Sequence, residues 1–78
     1  MPRLVNRMTK DEWLQEFSRR LVNRMEYLEM SQTELAKRSG LDQMSISQYV
    51  NCKHCPIGYH VAALAEALIM KSSDLIDF

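Results

Sequence analysis

"SQTELAKRSGLDQMSISQYV", residues 31–50, packs two helix starts and one helix stop into a short run. Ser31 precedes Glu34 by three positions, the spacing of a capping box, in which the serine oxygen accepts from the Glu34 amide. Leu35, Ala36 and Arg38 continue that helix. Gly40 stops it, because glycine adopts the left-handed conformation beyond a helix end at little cost. Leu41 then turns inward, and Asp42 is a good N-cap for a further helix reaching about Asn51. On this helix Ile46, Tyr49 and Val50 share one face, while Met44, Ser47, Gln48 and Asn51 share the opposite one. Ala36 is small where the two helices cross. Two short helices joined through Gly40-Leu41-Asp42 make a helix-turn-helix pattern over residues 31–51.

The flanks are helical too. Thr9 to Glu12 is another capping box, and Leu14, Phe17, Leu21, Met25 and Leu28 follow at intervals of three and four, which predicts a helix from Lys10 to about Leu28. Trp13 and Val22 fall off that stripe, at its margin or on a partner surface. Downstream, Val61, Leu64, Ala65 and Leu68 mark a fourth helix, after a loop Cys52–Gly58 containing Pro56. Ser72 or Ser73 is expected to cap a last turn carrying Leu75, Ile76 and Phe78. A chain this short has limited interior, so these three side chains are expected to stay partly exposed and form a dimer contact. Residues 1–8 lack periodicity and read as an arm, with Arg3 and Arg7 available to a groove. The expected fold is all-α, a compact five-helix bundle over residues 9–78.

Composition narrows the function. A chain of 78 residues makes one small domain. A core of that size yields only ~3–5 kcal/mol, which favours a staple or a partner subunit. Lys and Arg number 10, as do Asp and Glu, so the formal net charge is zero, which disfavours a non-specific polyelectrolyte binder. The basic residues nevertheless concentrate in the first third (Arg3, Arg7, Lys10, Arg19, Arg20, Arg24). Glu16, Arg19, Arg20 and Lys37 read as solvated charges. The richest apolar run, Val61 to Met70, is interrupted by Glu66 and falls short of the roughly 20 residues of a membrane span. Two cysteines without a secretory leader fit a cytoplasmic setting. Ser45 and Ser47 lack the base and orienter of a nucleophilic site, so no enzyme, cofactor or small-molecule substrate is expected.

The outer face of the third helix carries the functional expectation. A helix that enters the DNA major groove needs short polar side chains on its outer, N-terminal face. Gln43, Met44, Ser47 and Gln48 sit there. Glutamine pairs bidentately with adenine, serine donates or accepts, and a methionine covers a thymine methyl. The bland alternative is an ordinary solvated helix face.

These residues carry a resemblance. "SQTELAKRSGLDQMSISQYVNCKHCP" followed by "VAALAEALIMKSSDLI" resembles the phage repressor/Cro-like, lambda repressor-like (XRE-type) helix-turn-helix domain over about residues 14–78. The shared features are the Leu-Ala…Gly spacing, the proline after the third helix and the Leu-Ala-x-x-Leu of the fourth. The resemblance implies a five-helix fold and operator binding as a homodimer. It assigns base reading to Gln43, Met44, Ser47 and Gln48, and phosphate contact to Gln32, Asn51 and Lys53; His54 is expected beside Lys53 on the same backbone. Two departures stand out. Val50 and Met25 replace a common glutamate–arginine pair, read here as a packing contact. Cys52 stands where the family usually has glycine, which implies either a strained left-handed residue or a rearranged loop.

"NCKHCPIGYH", residues 51–60, leaves three readings. Cys52, Cys55 and His60, with His54 as a poor fourth, offer part of a zinc site whose second half is missing. A Cys-x-x-Cys pair can be a redox switch, although here it follows a helix C-terminus, where the dipole opposes a thiolate. The favoured reading is a plain loop without metal, with Lys53 and His54 facing phosphate. Two alternatives to DNA reading also stand: a protein-interaction or antitoxin-like module, and a reader controlled through Cys52 and Cys55.

Overall fold

The computed structural model describes residues 8–78, so the arm with Arg3 and Arg7 lies outside the described residues. Five helices follow in order: α1 Lys10–Tyr27, α2 Gln32–Ser39, α3 Gln43–Val50, α4 Gly58–Ala67 and α5 Ser72–Ile76. The fold is all-α, with no strand among the described residues. No described helix is long and apolar enough to cross a membrane. The expected starts of α1, α2 and α3 are all present. Thr9 and Glu12 form a complete capping box, Ser31 Oγ accepts from the Glu34 amide at 3.1 Å, and Asp42 accepts from Ser45.

Every helix sends side chains into one core. Phe17 and Leu21 come from α1, Leu35 from α2, Ile46 from α3, Leu64 from α4 and Leu75 from α5; all are almost wholly buried, with Leu68 at the end of α4. Burial of each such side chain is worth ~1.5–3 kcal/mol. None of α2, α3 and α5 is long enough to be stable alone, so this burial is what holds them. Leu75 therefore corrects an expectation: it is a core side chain, not a dimer surface. The reason is that α5 packs on both α1 and α4, and only a buried anchor can hold five residues there.

Long-range polar ties explain further differences. Arg20 is not a solvated charge. Its Nη1 donates to the Asp74 carbonyl at 3.0 Å, and its guanidinium lies 4.7 Å from the centre of the Phe78 ring. Phe78 also rests on Trp13, which stacks on Phe17. Arg24 donates to the carbonyls of Leu68 and Ile69 at 2.9 and 3.0 Å, placing a cation at the C-terminus of α4. Ser18, buried on α1, donates to the Val50 carbonyl at 2.6 Å and so ties α1 to the end of α3. Met25 belongs to the buried hydrophobic cluster, and Val50 is partly buried against that cluster. The cap of α5 is Lys71 and not a serine: Ser72 is already helical, and Asp74 accepts from the Lys71 amide at 3.2 Å.

Three helices end in the same way. After α1, α3 and α4 the chain places Glu29, Cys52 and Ile69 in left-handed conformations, with φ of 55°, 60° and 56°. In each case that residue and the next donate backward to the last turn. Met30 donates to the Met25 carbonyl at 2.8 Å, Lys53 to Gln48 at 2.8 Å and Met70 to Ala65 at 2.9 Å, the pattern of a Schellman motif. Such ends favour glycine, because a Cβ there costs ~1–2 kcal/mol.

Two outcomes are expected. Ile69→Gly and Glu29→Gly remove that strain against roughly 0.5–1 kcal/mol of added chain entropy, so each should raise the melting temperature by a few degrees, at ~4–8 °C per kcal/mol for a domain of this size. Acid unfolding reports on Glu16, which accepts from Arg20 at 2.8 Å and also from Arg19. The hydrogen bond from Arg19, then that from Arg20, hold its carboxyl at about 2 against an ordinary 4.5. A depressed carboxyl contributes stability that is full above pH 4.5 and is lost as pH falls through about 2. Glu16→Gln should therefore flatten the stability–pH curve in that window, measured by urea unfolding at successive pH values.

Candidate nucleic-acid interface

The turn that aims α3 is built from local hydrogen bonds. Gly40 closes α2 at φ 78°, and its amide donates to the Ala36 carbonyl at 3.0 Å. A Cβ built on Gly40 would meet nothing within 4 Å, so glycine is required by the backbone angle and not by space. The Leu41 amide donates to Ser39 Oγ at 3.2 Å, and Leu41 itself is buried. At the start of α3 the Ser45 hydroxyl donates to Asp42 at 2.8 Å. That bond, ahead of the backbone amides, holds the Asp42 carboxyl below its usual range.

α3 is split lengthwise. Ile46 and Tyr49 are buried, and Val50 is half-buried against the core. On the other side Gln43 and Met44 are exposed, Met44 by 69%, while Ser47 and Gln48 are half-buried at the flank. Among the described residues neither glutamine side chain is hydrogen-bonded to the protein, so both amides keep their full donor and acceptor capacity. Asn51 differs: its Nδ2 donates to the Ser47 carbonyl at 2.8 Å and approaches Ser47 Oγ at 3.3 Å. A phosphate contact by Asn51 competes with those bonds for the two Nδ2 hydrogens. Lys53 and His54 follow on the exposed loop, and Gln32 is half-buried in the first turn of α2.

One junction was not legible beforehand. The Tyr49 hydroxyl and His60 Nδ1 form a short hydrogen bond, with the two rings edge to face at 5.7 Å. Burial, followed by the nearby Asp42 charge, pushes the Tyr49 phenol up. This bond seats the first turn of α4 beside α3. It engages only Nδ1 of His60, and no three potential metal-ligating side chains converge among the described residues. Gly58, expected in the loop, is the first residue of α4. Ile57 precedes it without a side-chain cap, and no acidic residue lies in that first turn. The N-terminus of α4 thus presents open amides, beside Tyr59 at 69% exposure, where an anion fits. The sequence signal was the lack of Ser, Thr, Asp or Asn at Ile57.

Residues 18–75 match the helix-turn-helix family. The chain is a lambda repressor-like helix-turn-helix protein. Its family is one of DNA-binding regulators. No curated protein and no solved structure gives a significant match. The matched span starts at Ser18 and ends at Leu75, two buried residues. The aromatic stack of Trp13 and Phe78 lies outside it. Of the two outcomes expected at Cys52, a strained left-handed residue or a rearranged loop, the structure has the left-handed residue, with φ of 60°.

Tyr49→Phe tests the α3–α4 junction. Removing the hydroxyl should cost ~0.5–1.5 kcal/mol in chemical denaturation, the net value of a single hydrogen bond. It should also shift the His60 ring resonances, read by NMR.

Proposed function

We propose that this helix-turn-helix protein is a transcriptional repressor that reads a pseudo-palindromic operator as a homodimer. Helix α3 lies in the major groove of each half-site, with the half-sites ~34–36 Å apart. Residues 9–78 form the DNA-binding domain and residues 31–51 its reading unit. The observation that carries this reading is the free outer face of α3, where Gln43 and Gln48 hold unspent amides and Met44 an exposed apolar tip.

The roles divide by chemistry. Gln43 and Gln48 recognise adenine edges, Met44 covers a thymine methyl, and Ser47 adds a donor or acceptor once Asn51 releases it. Phosphate contact falls to Gln32, Lys53 and His54, and to the open amides at the starts of α2 and α4. Asn51 joins them from the end of α3. With Leu75 in the core, the dimer surface reduces to Ile76 and Phe78, which are 37% and 36% exposed.

Selection of bound sequences from a random DNA pool, followed by mobility shift, tests the reading. Gln43→Ala or Gln48→Ala should relax preference at individual base pairs, each costing ~1–3 kcal/mol on the favoured base. Lys53→Ala should weaken all sequences alike and reduce the salt slope by about one. A zero net charge keeps a protein-interaction module as the rival reading. That rival gives no salt-sensitive retardation at all.

A further inference from the structure

We propose that Cys52 and Cys55 form a reversible thiol switch, closing a four-residue disulfide ring around Lys53 and His54 and thereby weakening DNA binding. The consequence rests on the DNA-reading proposal above; the ring itself does not.

Both cysteines are free thiols, Cys55 exposed and Cys52 half-buried. They bracket the two side chains proposed to face phosphate. Closing the bridge needs Cα atoms about 4.4–6.8 Å apart. Three residues extend to roughly 10–11 Å at most, and the chain already bends at His54. The backbone is free to make up the rest. Among the described residues, no backbone hydrogen bond involves His54, Cys55 or Pro56. The helix side of the ring is held instead: the amides of Cys52 and Lys53 donate to the carbonyls of Tyr49 and Gln48 at 3.3 and 2.8 Å. Ring closure therefore leaves α3 in place and draws Cys55 back toward its end. The change falls on His54, on the direction of Lys53 and on the entry to α4.

The chemistry needs an oxidant, taken here as a low-molecular-weight disulfide. The exposed Cys55 thiolate attacks one sulfur of that disulfide, whose S–S bond breaks and releases one small thiol. The Cys52 thiolate then attacks the Cys55 sulfur of the mixed disulfide and releases the second small thiol. Two cysteine thiols are oxidised by two electrons, one external disulfide is reduced to two thiols, and the cysteine protons pass to the departing thiolates.

The test uses the full chain with oxidised glutathione as the probe and DNA selected by the reduced protein. Intact mass should fall by two hydrogens, with neither glutathione adduct nor covalent dimer. Affinity should drop about tenfold, with a salt slope shallower by about one, as for loss of a phosphate contact. Dithiothreitol should reverse both changes. Cys55→Ser should bind as the reduced protein does and ignore glutathione. A stable adduct, a covalent dimer, or a ring that leaves affinity unchanged overturns the switch. If the reduced chain selects no DNA, the reading beneath it fails, while mass still decides whether the ring forms, and an adduct there overturns the switch independently.

Discussion

Helix α3 spans only eight residues, too few to be stable by its own hydrogen bonds, and the proposed function depends on where it points. Its direction is set by burying Ile46 and Tyr49. Once those two side chains are committed to the core, the helical period leaves Gln43, Met44, Ser47 and Gln48 on the outer half. The surrounding contacts remove the remaining freedom. Ser18 holds the end of the helix from α1, His60 holds Tyr49 from α4, and Asp42 fixes the first turn. The base reading proposed for α3 requires a rigid helix, because a bidentate contact tolerates little rotation. The protein supplies that rigidity from two neighbouring helices and from the N-cap of α3 itself.

The same economy explains the helix ends. Loops of a few residues must reverse the chain, and a Schellman end does so while satisfying last-turn carbonyls. Glycine is the low-strain residue for it, yet the chain uses glycine only after α2 and accepts Glu29, Cys52 and Ile69 elsewhere. Each of those ends has outside support. Met30 and Met70, which follow Glu29 and Ile69, pack on the core, and Arg24 binds the carbonyls of Leu68 and Ile69. The strain at Cys52 is offset by the tie from Ser18 to the carbonyl of Val50, two residues earlier.

What the sequence revealed follows from range. Capping boxes, Gly40 and the apolar stripes act over three or four residues, so helix identities and most of the core were readable. The outward placement of Gln43 and Met44 was readable for the same reason, because it follows from the period of α3. Arg20, Arg24, Ser18 and His60 were not, since their partners lie 54, 44, 32 and 11 residues away. Arginine on a solvated face and arginine capping a distant helix look identical in a local window. Leu75 was misplaced by an argument from size: a small interior suggested spillover at the C-terminus, whereas a five-residue helix needs its best apolar side chain inside. Asn51 was placed on the correct side of α3, but its bond to Ser47 depends on a rotamer that no spacing encodes.

The neutral charge then acquires a meaning. Of the described cations, Arg19, Arg20 and Arg38 are paired with Glu16 or Glu34, and Arg24 caps α4. Lys10, Lys37, Lys53 and Lys71 form no ion pair among the described residues, and of these Lys53 lies just past the C-terminal end of α3. Non-specific DNA affinity scales with the number of phosphates neutralised, so under the proposed function a neutral head with one such cation at the end of α3 binds random sequence weakly. What it loses in attraction it recovers in discrimination, since base-edge contacts make up a larger share of the total. In the proposed dimer a second subunit doubles base-edge and phosphate contacts together, so the discrimination between operator and random sequence, a difference of base-edge terms, doubles as well. The proposed homodimer is thus the state in which a neutral reading head becomes both selective and tight.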